Sequence, residues 1–104
     1  MMKHNGYKID GHDTIIDKSL QFIKSLPDCD KIIFLTSRTD VFKAQTEEFL
    51  NKCGIRYDHI IYGLPLGERI LINDRKPSGL PTAIAVNIGR DMGIDIDLRI
   101  DYKL

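Results

Sequence analysis

The spacing of apolar positions changes several times along the chain, and each change marks a predicted element. Ile16, Leu20 and Ile23 recur at helical spacing with Lys18 and Lys24 off that face. This predicts a helix capped at Asp13 or Thr14 and running to about Leu26, where Pro27 and Asp28 close it. An uninterrupted apolar run follows at 31–35, KIIFL, of the kind that forms a strand buried on both faces. Asp40 then opens a second helix carrying Phe42, Phe49, Leu50 and Cys53, with Gly54 where a left-handed residue ends a helix. Shorter apolar runs at 59–62, 69–72 and 83–86 predict three further strands, ending at Gly63, at Asn73 and Asp74, and at Asn87.

Short apolar strands alternating with helices predict an α/β fold with a mostly parallel sheet and helices on its faces. The connections between 62 and 69 and between 74 and 82 are too short for full crossover helices, so small turns or antiparallel neighbours are expected there. The last stretch has another period. Ile94, Ile96, Leu98, Ile100 and Tyr102 alternate with Asp95, Asp97, Arg99, Asp101 and Lys103, which predicts a half-buried or edge strand over 94–104. Residues 1–12 are polar and glycine-punctuated, and read as loop.

Composition narrows the class without changing this picture. A chain of 104 residues with 42% hydrophobic and 29% charged residues is expected to be one soluble domain, residues 1–104. Lys plus Arg equals Asp plus Glu at 15 each, so the formal net charge is zero. That balance argues against nucleic acid as a partner, because such binding neutralises many phosphates. Cys29 and Cys53 form no CxxC and no Cys/His cluster, so both are expected as reduced thiols filling space. A leader and a membrane-length apolar run are both absent from the sequence, which points to a cytoplasmic protein without membrane contact.

Candidate chemistry falls at two strand ends, where ligands bind in open α/β sheets. Thr36, Ser37 and Arg38 directly follow the 31–35 run, and a hydroxyl there can donate to a phosphoryl oxygen. Asn73 and Asp74 follow the 69–72 run. An acid at the end of a buried strand needs a partner or a cation, and oxygen donors in this setting suit Mg²⁺. Each cluster read alone is equally a turn.

Together and in this order, IIFLTSRT and ILINDRKPSG resemble the second and fourth motifs of the haloacid-dehalogenase-like (HAD) superfamily. The likeness covers roughly residues 13–93, including AIAVNIGRDMG as the last family strand. It implies a three-layer, Rossmann-like α/β fold and a phosphohydrolase acting with Mg²⁺ on a small phosphorylated metabolite, such as a sugar phosphate. Carried over by position, Thr36 would bind the transferring phosphoryl group with Ser37 and Arg38, and Asp74 with Asn73 would hold Mg²⁺. Lys76 would replace the family lysine.

Three departures accompany the likeness. The family's nucleophile motif, an apolar strand ending in DxDGT, is imitated only by Lys8-Ile9-Asp10-Gly11-His12-Asp13-Thr14, with Lys8 at the nucleophile's position. The chain is therefore expected to begin just after that motif, as a truncated or inactive member, with Asp10 and Asp13 serving as loop and cap residues. No GKP lysine precedes the fourth-motif strand, and Asn73 replaces one acid of the usual pair. The absent strand would be central in the sheet, so its neighbours are expected to carry unpaired backbone groups and exposed apolar faces. The alternating tail or a homo-oligomer would compensate. The contrasting reading is a non-catalytic module that binds phosphate or a partner protein.

Overall fold

A computed structural model describes residues 17–94. The start of the expected first helix, the loop 1–12 and all of the tail beyond Ile94 lie outside the described residues. Within them the chain is a mixed α/β unit: helix α1 (Asp17–Lys24), strand β1 (Ile33–Leu35), a 3₁₀ turn (Asp40–Phe42), helix α2 (Lys43–Lys52) and strand β2 (His59–Ile61).

Helix α1 carries Asp17 in its first turn and Lys24 in its last, each with the sign that suits the helix dipole. Ser25 ends it by donating its hydroxyl to the Phe22 carbonyl at 2.6 Å, and Pro27 prevents continuation. The expected second helix begins at Asp40 as a tight 3₁₀ turn and becomes α-helical at Lys43. Its far end is a Schellman motif. Ile55 donates to the Leu50 carbonyl and Gly54 to that of Asn51, both at 3.0 Å. Gly54 sits at φ 71°, where a side chain would be strained.

The closing turn brings Ile55 against Leu50, and these two with Ile23 and Ile32 form the buried core. Leu20, Phe22, Leu26, Phe34, Cys53, Tyr57 and Ile60 pack around it. Residues from both helices, β1 and the approach to β2 therefore share one small apolar cluster. Exposed Cys29 lies outside it, so of the two cysteines only Cys53 fills space there.

Strands β1 and β2 pair in parallel, with Ile33, Phe34 and Leu35 opposite His59, Ile60 and Ile61. The α2 crossover between them is what parallel pairing requires. Polar groups fasten the N-terminal end of the pair. Asp58 accepts the Ile32 N–H at 2.7 Å, and Arg56 donates to the carbonyls of Asp30 and Pro27, each at 2.8 Å.

The strands expected at 69–72 and 83–86 are not formed; both segments are irregular and exposed. The sheet of the described residues has two strands, β1 and β2. A strand persists only where its N–H and C=O groups find a ladder, and neither segment has one within the described residues. The segment 62–94 is instead irregular, with turns at 77–78 and 90–91. Gly79 donates to the Lys76 carbonyl at 2.7 Å, Met92 to that of Gly89 at 3.1 Å, and Ile94 reaches back to the buried Ser19 hydroxyl at 3.2 Å. No helix among the described residues is long and apolar enough to cross a membrane.

Candidate functional site

The C-terminal end of the parallel pair is where the first expected cluster lies, and its geometry follows from the ladder. Thr36 extends β1 by one more rung, donating its N–H to the Ile61 carbonyl at 3.0 Å and accepting from Leu64 N–H at 3.1 Å. Arg38 then turns back and donates its N–H to Thr36 Oγ1 at 3.1 Å. This side-chain-to-backbone turn occupies a lone pair of the hydroxyl and leaves its proton available for a ligand. The Arg38 carbonyl accepts from Gly63 N–H at 2.7 Å, so the exits of β1 and β2 are bound to each other.

The Arg38 side chain points into the fold. Its Nη1 donates to Thr46 Oγ1 at 3.0 Å, and Thr46 is buried in the middle of α2. The guanidinium thus links the turn after β1 to the helix that follows it. Tyr62, just past β2, brings a buried phenol hydroxyl without a hydrogen-bond partner among the described residues, and Gln45 Nε2 is in the same condition. Burial pushes the Tyr62 phenol above its usual range, Glu47, Tyr57 and Asp40 add to the shift, and Arg38 opposes it.

Chemically, the 36–38 turn offers hydroxyl donors from Thr36 and Ser37 at a strand end, backed by a guanidinium that fixes its shape. Such an arrangement suits the oxygens of an anion. Within it the Thr36 hydroxyl oxygen accepts the Arg38 N–H.

The second expected cluster lies in the irregular segment. Asn73 donates through Nδ2 to Thr82 Oγ1 at 3.1 Å and to the Asp74 carbonyl at 3.2 Å, closing a polar loop around 74–81. Asp74 and Lys76 are exposed, and Lys76 opens the turn that Gly79 closes. Among the described residues, no group of three or more His, Cys, Asp or Glu side chains is placed to hold a metal ion. Asp10 and Asp13 lie outside the described residues.

Thr46 and Tyr62 were not singled out by the sequence. For Thr46 a signal exists: Phe42, Thr46, Phe49, Leu50 and Cys53 share one helical face, and a polar residue on an apolar face requires a buried partner. Tyr62 carries no comparable signal, since a tyrosine ending a strand is equally suited to a solvent-facing hydroxyl. No protein-family model, curated protein or solved structure matches the chain.

Proposed function

We propose that this chain is a HAD-type, phosphohydrolase-like domain. It binds the phosphoryl group of a small phosphomonoester, such as a sugar phosphate, at Thr36 and Ser37, and does not hydrolyse it with these 104 residues alone. The observation that carries the reading is the Thr36 turn. An apolar parallel strand delivers a hydroxyl to its C-terminal end, and the Arg38 N–H at 3.1 Å uses one acceptor site of that hydroxyl while its rotatable O–H can still donate.

In this reading the finer architecture is a three-layer, Rossmann-like fold built on the parallel β1–β2 pair and its α2 crossover. Thr36 donates to a phosphoryl oxygen, and Ser37 adds a second donor. Arg38, held by Thr46, positions the turn rather than reaching for substrate. Asp74 with the neutral Asn73 supplies oxygen ligands for Mg²⁺, which would offset phosphate charge. Lys76 stands two residues away as a cation of the same loop, next to Arg75. Hydrolysis in such a site needs an aspartate at the end of an apolar strand to attack phosphorus, and Lys8 occupies the matching position in the one segment that imitates that motif.

The test separates binding from turnover. Inorganic phosphate with Mg²⁺ is expected to raise the melting temperature, with a stabilisation of about 1.4 kcal/mol when ligand is tenfold over Kd. Thr36→Val is expected to abolish that shift, and Asp74→Ala its dependence on Mg²⁺. Incubation with p-nitrophenyl phosphate should release no Mg²⁺-dependent product. An unshifted melt in the unmodified protein would remove phosphate binding, and Mg²⁺-dependent hydrolysis would remove the non-catalytic part.

A further inference from the structure

The turn after β1 is fastened from two directions, and the fastenings meet at Arg38. One is the exit of β2. Gly63, at φ 70°, donates its N–H to the Arg38 carbonyl at 2.7 Å, and Leu64 donates to that of Thr36 at 3.1 Å. The other is helix α2, whose Thr46 Oγ1 accepts from Arg38 Nη1 at 3.0 Å. Between them the Arg38 N–H donates to Thr36 Oγ1 at 3.1 Å. A shift of the guanidinium is therefore passed to the backbone that carries the hydroxyls of Thr36 and Ser37.

Thr46 is a costly residue for its place. It is 3% exposed, on the helical face that also carries Phe42, Phe49 and Leu50. A buried hydroxyl lowers stability unless it has a partner, and valine would fill the same space without a polar group to satisfy. What the hydroxyl adds is an acceptor for Arg38. Alternation along β1 sets where its effect is felt. Ile32 and Phe34 belong to the cluster that contains Leu50 of α2, and Thr36 is next on that face of the strand. The helix that supplies Thr46 thus backs the strand that presents Thr36.

We infer that Thr46 is a positioning residue for the phosphoryl site. Through Arg38 it fixes the turn in the shape in which the Thr36 and Ser37 hydroxyls donate to one anion. The inference rests on the phosphate binding proposed above and adds to it a dependence on the middle of α2. Linkage is reciprocal, so a bound anion strengthens the Arg38–Thr46 bond by the factor that this bond adds to binding.

Titration calorimetry with inorganic phosphate and Mg²⁺, run well below the melting temperature of every variant, tests the role. The unmodified chain is expected to bind, and Thr46→Val to bind at least about fivefold more weakly. Thr46→Ser keeps the hydroxyl and should recover most of that loss. Ile23→Val lowers stability from within the core and removes none of these bonds, so its Kd should be unchanged. In an Arg38→Met background Thr46→Val should weaken binding no further, because the hydroxyl has no guanidinium left to hold. Saturating phosphate should slow amide exchange at Gly63 in the unmodified chain, and less so in Thr46→Val. No binding by the unmodified chain would remove the phosphoryl site and this role with it. Binding that Thr46→Val leaves equal or tighter, that Ile23→Val weakens as much, or that falls again in the Arg38→Met background would keep the site and overturn the role of Thr46.

Discussion

Two apolar runs of similar length have opposite fates in this molecule. Residues 31–35, KIIFL, contain β1, and residues 69–72, RILI, do not form a strand. Their side chains are equally suited to a sheet, and each is followed by polar residues at the same point. What differs is company. β1 has β2 on one edge, and Ile32 beside it is built into a core with Ile23, Leu50 and Ile55. The second run has no ladder partner among the described residues. An apolar string is a capacity for strand formation, and the partner decides whether it is used.

The largest expected contrast comes from truncating one leucine on each side. Leu50→Ala removes a side chain only 1% exposed and should cost about 2–5 kcal/mol of stability in urea unfolding, through lost burial and the cavity left behind. Leu71→Ala should change stability by less than about 0.5 kcal/mol. Equal losses would mean that 69–72 is packed as firmly as the core, and the comparison would collapse.

A smaller effect tests how the ordered half is tied to the turn after β1. Thr46→Val keeps the volume of a buried helical side chain and removes the acceptor of the Arg38 Nη1 bond. A loss of about 1–3 kcal/mol is expected. It should be accompanied by faster amide exchange at Gly63, whose N–H is held by the Arg38 carbonyl. Unchanged exchange there would show that the guanidinium does not support the turn.

The smallest effect is a pH dependence at the opposite end of the parallel pair. The Ile32 N–H holds the Asp58 carboxyl below its usual range, burial opposes the shift, and Lys31, Arg56 and His59 add to the lowering. A carboxyl with a folded pKa below its unfolded one contributes stability above the unfolded value, and that contribution is lost as pH falls through the folded value. Asp58→Asn should therefore flatten the acid limb of the stability profile below about pH 4 and leave its neutral limb parallel to that of the unmodified chain. An acid limb of unchanged steepness would assign that dependence to other carboxylates.

Much of the ordered half was legible because its signals are local. The α1 helix, the Gly54 stop and strands within the 31–35 and 59–62 runs each follow from residue spacing or from one residue's backbone freedom. The first strand, however, is not buried on both faces as its apolar run predicts: Ile33 and Leu35 are 53% and 49% exposed, because no described residue covers that side. The turn at Thr36 was legible for the same reason. The Arg38–Thr46 bond was less so, because it joins residues eight apart, across the 3₁₀ turn, through side chains whose directions no spacing rule gives. The runs at 69–72 and 83–86 were read as strands because local pattern reports suitability alone.

The sequence by itself determined that one helix precedes and another follows the first strand, that the second stops at Gly54, which residues can line a strand, and that hydroxyls follow the first strand. Those properties belong to single residues and their immediate neighbours. Only the tertiary structure decided which apolar runs become strands, that Arg38 turns inward to Thr46, and that one edge of β1 stands open among the described residues. Each of these depends on a partner distant in the chain. A backbone ladder or a buried hydrogen bond exists only when both of its halves are brought together.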